Sequence, residues 1–214
     1  MATTTARDAL RRRALRLEYA TIAWNLGEAV LTIWLGLAAG SLALVGFGTD
    51  SVIEVFASGV VVWHVRPGHQ IDRPDRTALA LNLVAGAFLA LALILAAASI
   101  RNLAGGQRAG HSLAGITYLA VTALVMFGLA VAKRRTAAGL GSAPLASEAS
   151  MTFLDGMLST ATLAGLALNA GLGWWWADPA AALLVSIAAL NEAHENRGEA
   201  RDLQRSAGKA GPDR

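Results

Sequence analysis

Residues 47–58, FGTDSVIEVFAS, place two acids, Asp50 and Glu54, four residues apart in the middle of a long apolar segment. On an α-helix, positions i and i+4 share a face, so the two carboxylates point the same way. An acid at the centre of a membrane helix costs roughly 2.5–3.5 kcal/mol. The pair therefore needs a basic partner, a proton or a bound cation.

The composition is that of a membrane protein. Of the 214 residues, 55% are hydrophobic and only 15% are charged. The absence of cysteine excludes disulfides and thiolate metal sites. The net charge is +3, but the basic residues fall in short loops and at the ends of the chain, not on a face that could follow phosphates. We therefore expect no nucleic acid partner.

Apolar segments recur along the chain, and each is close to the ~20 residues that cross the ~30 Å core of a lipid bilayer. The last one has the shortest purely apolar part, and an alternative is that it lies on the membrane surface. We expect an all-α membrane protein with six transmembrane helices. Their cores are residues 19–39, 41–65, 78–100, 112–132, 145–171 and 176–193.

The basic residues predict the orientation of these helices. Of the 18 Lys and Arg residues, all but Arg101 and Arg108 fall on one side of the predicted membrane, which is expected to be the cytoplasmic side. Both termini then face the cytoplasm. The predicted organisation is a basic tail over residues 1–17, a transmembrane domain over 18–195 and a polar tail over 196–214. The Ala-, Gly-, Leu- and Arg-rich composition is typical of a high-GC bacterium, so we expect a multi-pass protein of the bacterial inner membrane.

Further acids lie in the apolar segments. Glu28 and Asp155 are well inside, and Glu148 is near the cytoplasmic start of the fifth segment. Met151 and Asp155 repeat the i, i+4 spacing. At 1.5 Å per residue, Asp50 lies about 14 Å and Asp155 about 15 Å from a helix end, so both are near the midplane. Lys and Arg are absent from all six segments, so no basic partner is expected. A site that alternates between protons and a cation is a metal–proton exchanger.

Two stretches carry a family resemblance: residues 40–58, GSLALVGFGTDSVIEVFAS, and residues 147–190, which include SEASMTFLDG and WWWADPAAALLVSIAAL. They resemble the second, fifth and sixth helices of the cation diffusion facilitator family, and the similarity extends over residues 19–195. The resemblance implies a six-helix homodimer in the lipid bilayer that exchanges a divalent metal ion, usually zinc, for protons. The chain would be a minimal, divergent member without the family's C-terminal cytoplasmic domain.

The resemblance also implies metal ligands. Asp50 and Glu54 match the two ligands of the second helix, and Met151 and Asp155 match those of the fifth. Glu54 stands where Asp is usual. Met151 stands where His or Asp is usual, and a thioether is a poor zinc ligand. Glu148, Glu28 or water would then complete the ligand set, and oxygen ligands suit Mn²⁺ or Fe²⁺ about as well as Zn²⁺.

Simpler interpretations exist for several of these residues. Met151 is more often a core residue than a ligand, Glu148 is close enough to the interface to be hydrated, and Glu28 could tie the first helix to the second. The alternative function is a non-transporting assembly or sensor subunit whose buried acids are structural. No permanently bound cofactor is expected. An enzyme is not expected either, because the sequence has no nucleophile–histidine pairing, phosphate-binding loop or metalloprotease motif.

Overall fold

The computed structural model describes residues 4–39, 42–66, 73–106 and 113–209, which are helical apart from short turns and contain no strand. The described residues form six helices, one for each predicted apolar segment. They are α1 (Thr4–Ala39), α2 (Leu42–Val65), α3 (Pro74–Gly105), α4 (Leu113–Leu140), α5 (Ala143–Leu172) and α6 (Ala177–Lys209). The all-α prediction is confirmed for this part of the chain.

The helices extend beyond the apolar segments at both ends of the chain. The regions expected to be tails are helical where the structure describes them, since α1 begins at Thr4 and α6 continues to Lys209. Their sequences are polar but rich in Arg, Ala, Leu and Glu, which favour helix. Near the end of α6, Ala200 is fully buried against Ala78 and Leu81 of α3. Hydropathy therefore located the apolar part of each helix but not its ends.

The connection between α4 and α5 is much shorter than predicted. Residues 133–144 were expected to form a loop, but α4 continues to Leu140 and only two residues separate it from α5. Gly141 adopts a left-handed backbone with φ of 62°, which favours glycine. The Ser142 N–H then donates to the Ala137 carbonyl at 3.2 Å, as in a Schellman helix end. Lys133, expected in this loop, therefore lies within α4.

The main helix pairs are α1 with α2, α4 with α5, and α3 with α6, while α2 and α5 also touch each other. The first pair depends on a close approach at Gly48, two residues before Asp50. A Cβ atom at Gly48 would lie 2.5 Å from Ile33 Cγ1 and 2.6 Å from Thr32 Oγ1. The backbones of α1 and α2 can pack this closely here because glycine has no side chain.

Large apolar side chains cover much of the outside of the bundle, and its interior contains polar side chains. Large apolar residues are exposed around the outside, including Leu124 (74%) and Val30 (70%). Charged residues such as Lys133 are buried. Among the described residues, two helical segments are long and apolar enough to cross a membrane, Pro74–Gly105 and Thr117–Leu140.

Candidate metal centre

A small cavity lies between α2, α3, α5 and α6, with room for about one water-sized sphere. Its polar lining consists of Asp50 and Glu54 from α2 and Asp155 from α5, and Met151 adds a thioether from the same helix. Aliphatic side chains of all four helices complete its walls. The two i, i+4 pairs identified in the sequence therefore face a common space. Their role as metal ligands stays a prediction.

Of the carboxylates at this cavity, Asp50 and Glu54 are buried and Asp155 is half-buried, and they are only partly hydrogen-bonded. Asp50 Oδ1 and Asp155 Oδ2 have no hydrogen-bond partner among the residues that the structure describes. Asp155 is also within electrostatic range of Glu54, Glu28 and Asp50. Like charges repel strongly in a low-dielectric interior, and buried polar groups without partners are costly. The cavity therefore has unused capacity for a cation or for protons.

Met151 serves as a core residue in addition to lining the cavity. Only 2% of it is exposed, and it packs in an apolar cluster with Leu154, Leu158 and Phe88. A methionine in such a cluster fills space well because its side chain is flexible and polarisable. This packing supports the simpler interpretation of Met151, while its position on the cavity wall also keeps the sulfur beside the acids.

Glu28 lies beside the cavity and not on its wall. It is buried on α1, close to Ser51 of α2 and Tyr118 of α4, and within electrostatic range of Asp50. Within the described parts of the chain, neither carboxylate oxygen of Glu28 has a hydrogen-bond partner that meets standard geometry. Glu28 therefore adds a further acid to the same interior region without completing the cavity's own lining.

The expectation that the buried acids have no basic partner is wrong for Glu148. Lys133 of α4 is 0% exposed, and its Nζ donates to both carboxylate oxygens of Glu148, at 2.6 and 2.5 Å. The same Nζ lies 3.4 Å from Glu18 Oε2 of α1. Glu148 was expected to be hydrated near the interface, but it is fully buried. The error arose because the apolar segment ends at Ala132, whereas α4 continues past it and carries Lys133 into the interior.

A hydrogen-bond network joins this ion pair to the cavity. Lys133 Nζ also donates to Thr152 Oγ1 at 3.1 Å, and the Thr152 hydroxyl donates to Glu54 Oε1 at 2.6 Å. Ser58 also donates to Glu148 Oε1, at 2.8 Å. We refer to these side chains as the Lys133 network, which comprises Glu18, Glu54, Ser58, Lys133, Glu148 and Thr152.

Sequence reasoning missed four members of this network. Ser58 follows Glu54 by four residues and Thr152 follows Glu148 by four, so both continue the polar stripes already recognised on α2 and α5. That spacing was a usable signal. Lys133 gave no such signal because it begins the basic run Lys133-Arg134-Arg135, which is typical of a surface. Glu18 was hidden in the same way by the surrounding arginines of the first 17 residues.

In the described part of the chain, no three His, Asp or Glu side chains are grouped closely enough to hold a metal ion. No protein-family model matches this chain, and no curated protein matches it either. The resemblance to the cation diffusion facilitator family therefore depends on the motif residues alone.

Proposed function

We propose that this protein is a secondary transporter that exports a divalent cation from the cytoplasm in exchange for protons. The observation that carries the proposal is that Asp50, Glu54 and Asp155, from two helices, line one cavity, although they are not drawn together closely enough here to hold an ion at once. These residues are far apart in sequence, and a shared cavity is what a cation site between α2 and α5 requires.

The exchange follows from the electrostatics of the cavity. Three ionised carboxylates in a low-dielectric space repel one another, and a divalent cation or added protons relieve that repulsion. Both compete for the same oxygens, so binding of one favours release of the other. A cation entering from the cytoplasm displaces protons, and protons entering from outside displace the cation. The proton gradient then drives transport.

The proposed arrangement in the membrane has six transmembrane helices and both termini in the cytoplasm, within the bacterial inner membrane. The exposed Leu and Val side chains of the bundle support it, because they are suited to lipid contact. The one-sided distribution of Lys and Arg supports the orientation. The homodimer is proposed from the family resemblance.

Zn²⁺ is the leading candidate for the transported ion, and Mn²⁺ and Fe²⁺ are alternatives. The cavity supplies carboxylate oxygens and one thioether but no imidazole, a set that suits harder divalent ions about as well as zinc. Glu148 is occupied by Lys133, which leaves Glu28 or water as the group that completes the ligand set.

The second candidate function is a non-transporting assembly or sensor subunit. The ion pair between Lys133 and Glu148 favours it, because this pair gives at least one buried acid a structural partner. Under this alternative, the acids at the cavity hold the helices together as protonated groups. Added metal ions would then leave the stability of the protein unchanged.

The two candidates differ in a flux assay with purified protein in liposomes under a pH gradient. With Zn²⁺ and Mn²⁺ as probes, transport predicts flux in the wild type and loss of flux in Asp50→Asn and in Asp155→Asn. Arg135→Met is the matched control, because it removes a charge from an exposed position. Flux that survives both acid substitutions would disprove the proposal. A melting temperature that rises with added metal shows binding to the native state, about 2.7 kcal/mol at a hundredfold excess over Kd.

A further inference from the structure

A row of polar side chains continues from the cavity along one face of each of two helices. On α2 it passes from Asp50 through Glu54 to Ser58, and on α5 from Asp155 through Thr152 to Glu148, in steps of three or four residues. Such steps are about one helical turn, or 5.4 Å. The ammonium of Lys133 therefore lies about one turn beyond the cavity, towards the ends of α2 and α5 that carry Val65 and Ala143.

The surroundings of this ammonium are those of a bound cation. Lys133 Nζ contacts both oxygens of Glu148, at 2.6 and 2.5 Å, and Thr152 Oγ1 at 3.1 Å. Glu18 Oε2 is 3.4 Å away. All four contacts are to oxygen, and they come from α1 and α5 while the lysine comes from α4. A buried position with several oxygen ligands and two carboxylates is also what a hard metal ion prefers.

More acidic than basic side chains lie at this position. Two carboxylates face one ammonium, and both are fully buried, as is Lys133. Glu18 lies beside Glu148 and Ser58. Among the residues in the described ranges, neither of its oxygens has a hydrogen-bond partner that meets standard geometry. Glu18 Oε1 therefore has unused capacity for a cation even while Oε2 lies 3.4 Å from the ammonium.

We propose that Glu18, Glu148 and Thr152 form a second cation-binding position, which the chain fills with its own ammonium, Lys133. The lysine acts as a tethered cation. It holds Glu148 away from the ligand set of the cavity, so a free divalent ion is confined to Asp50, Glu54 and Asp155. The second position itself does not depend on the proposed transport function, whereas this confinement does.

Removal of the ammonium should open the position to a free ion. We would measure bound Zn²⁺ per chain by elemental analysis after dialysis of detergent-purified protein. Lys133→Met is expected to bind one more Zn²⁺ per chain than the wild type. Lys133→Arg keeps a tethered cation and is expected to bind no extra ion. Arg135→Met, which removes an exposed charge from the same helix, is expected to match the wild type.

A charge-neutral variant provides the matched test of the oxygens. In Lys133→Met/Glu18→Gln/Glu148→Gln the lysine and both carboxylates are absent, so the extra Zn²⁺ of Lys133→Met should disappear. If Lys133→Met does not yield folded protein, Lys133→Gln replaces it with the same expectation. An equal Zn²⁺ content in the wild type and in Lys133→Met, or in Lys133→Gln where it is used instead, would overturn the proposal. An extra ion that persists in the triple variant would overturn it as well.

The same measurements separate this inference from the proposed function. Zn²⁺ binding and flux of the wild type test the transporter, while the difference between the wild type and Lys133→Met tests the tethered cation. A wild type that binds no Zn²⁺, together with a Lys133→Met variant that binds one, would reject the transporter and support the second position. A wild type that transports Zn²⁺, with no extra ion in Lys133→Met, would support the transporter and reject the second position.

Discussion

Thr152 links the buried ion pair to the cavity, and its substitution by valine should weaken the protein measurably. The change keeps the shape of the side chain and removes only the hydroxyl. That hydroxyl accepts from Lys133 Nζ at 3.1 Å and donates to Glu54 Oε1 at 2.6 Å. Both contacts are lost in Thr152→Val, and neither can be replaced by water easily, because Thr152 is fully buried.

Removal of the Thr152 hydroxyl should cost less stability at Lys133 than at Glu54. Lys133 keeps its two hydrogen bonds to Glu148, so the loss at that end is small. Glu54 loses the donor to its Oε1, and a hydrogen bond to a charged group is worth about 1.5–3 kcal/mol. We expect Thr152→Val to lower the free energy of unfolding by about 2–3 kcal/mol. Thr152→Ser keeps the hydroxyl and removes one methyl group, which costs about 1 kcal/mol.

The assay is equilibrium unfolding of the purified protein in detergent, combined with a double-mutant cycle. Thr152→Val is measured alone and in a Glu54→Gln background, where the carboxylate that makes the hydrogen bond strong is absent. The coupling between the two substitutions should be about 1–2 kcal/mol, within the range for side chains in direct contact. A coupling below about 0.5 kcal/mol, the usual limit for independent sites, would refute the link between the ion pair and the cavity.

Three further stability predictions use the same assay. Gly48→Ala should lower the free energy of unfolding by about 1–3 kcal/mol, because its Cβ would lie 2.5 Å from Ile33 Cγ1. Gly59→Ala, with nothing within 4 Å of its Cβ, should leave that free energy unchanged or raise it by about 0.5–1 kcal/mol. Similar losses at both sites would contradict the close approach of α1 and α2. Gly141→Ala should cost about 1–2 kcal/mol because φ is 62° there, and a neutral result would argue against the left-handed helix end. Lys133→Met should cost about 3–5 kcal/mol by leaving buried carboxylates without their cation, and a loss below about 1 kcal/mol would show that the pair is exposed to water.

The number of helices was predictable from the sequence, but their ends were not. The apolar segments at 19–39 and 78–100 each lie within a helix, because burial among other helices or in lipid requires continuous apolar surface. The ends of α1 and α6 extend over polar residues, where hydropathy carries no information. Helix propensity and packing, such as the burial of Ala200, decide those ends.

The sequence by itself determined which acids share a helix face, since the spacing of Asp50 and Glu54 follows from 3.6 residues per turn. The resemblance of the flanking residues added the matching pair on α5. Only the tertiary structure decided what faces each acid. It paired Lys133 with Glu148 and, among the described residues, left one oxygen each of Asp50 and Asp155 without a hydrogen-bond partner. The physical reason is that the rotation of each helix about its axis, and the reach of a long side chain from a third helix, depend on packing between segments distant in sequence.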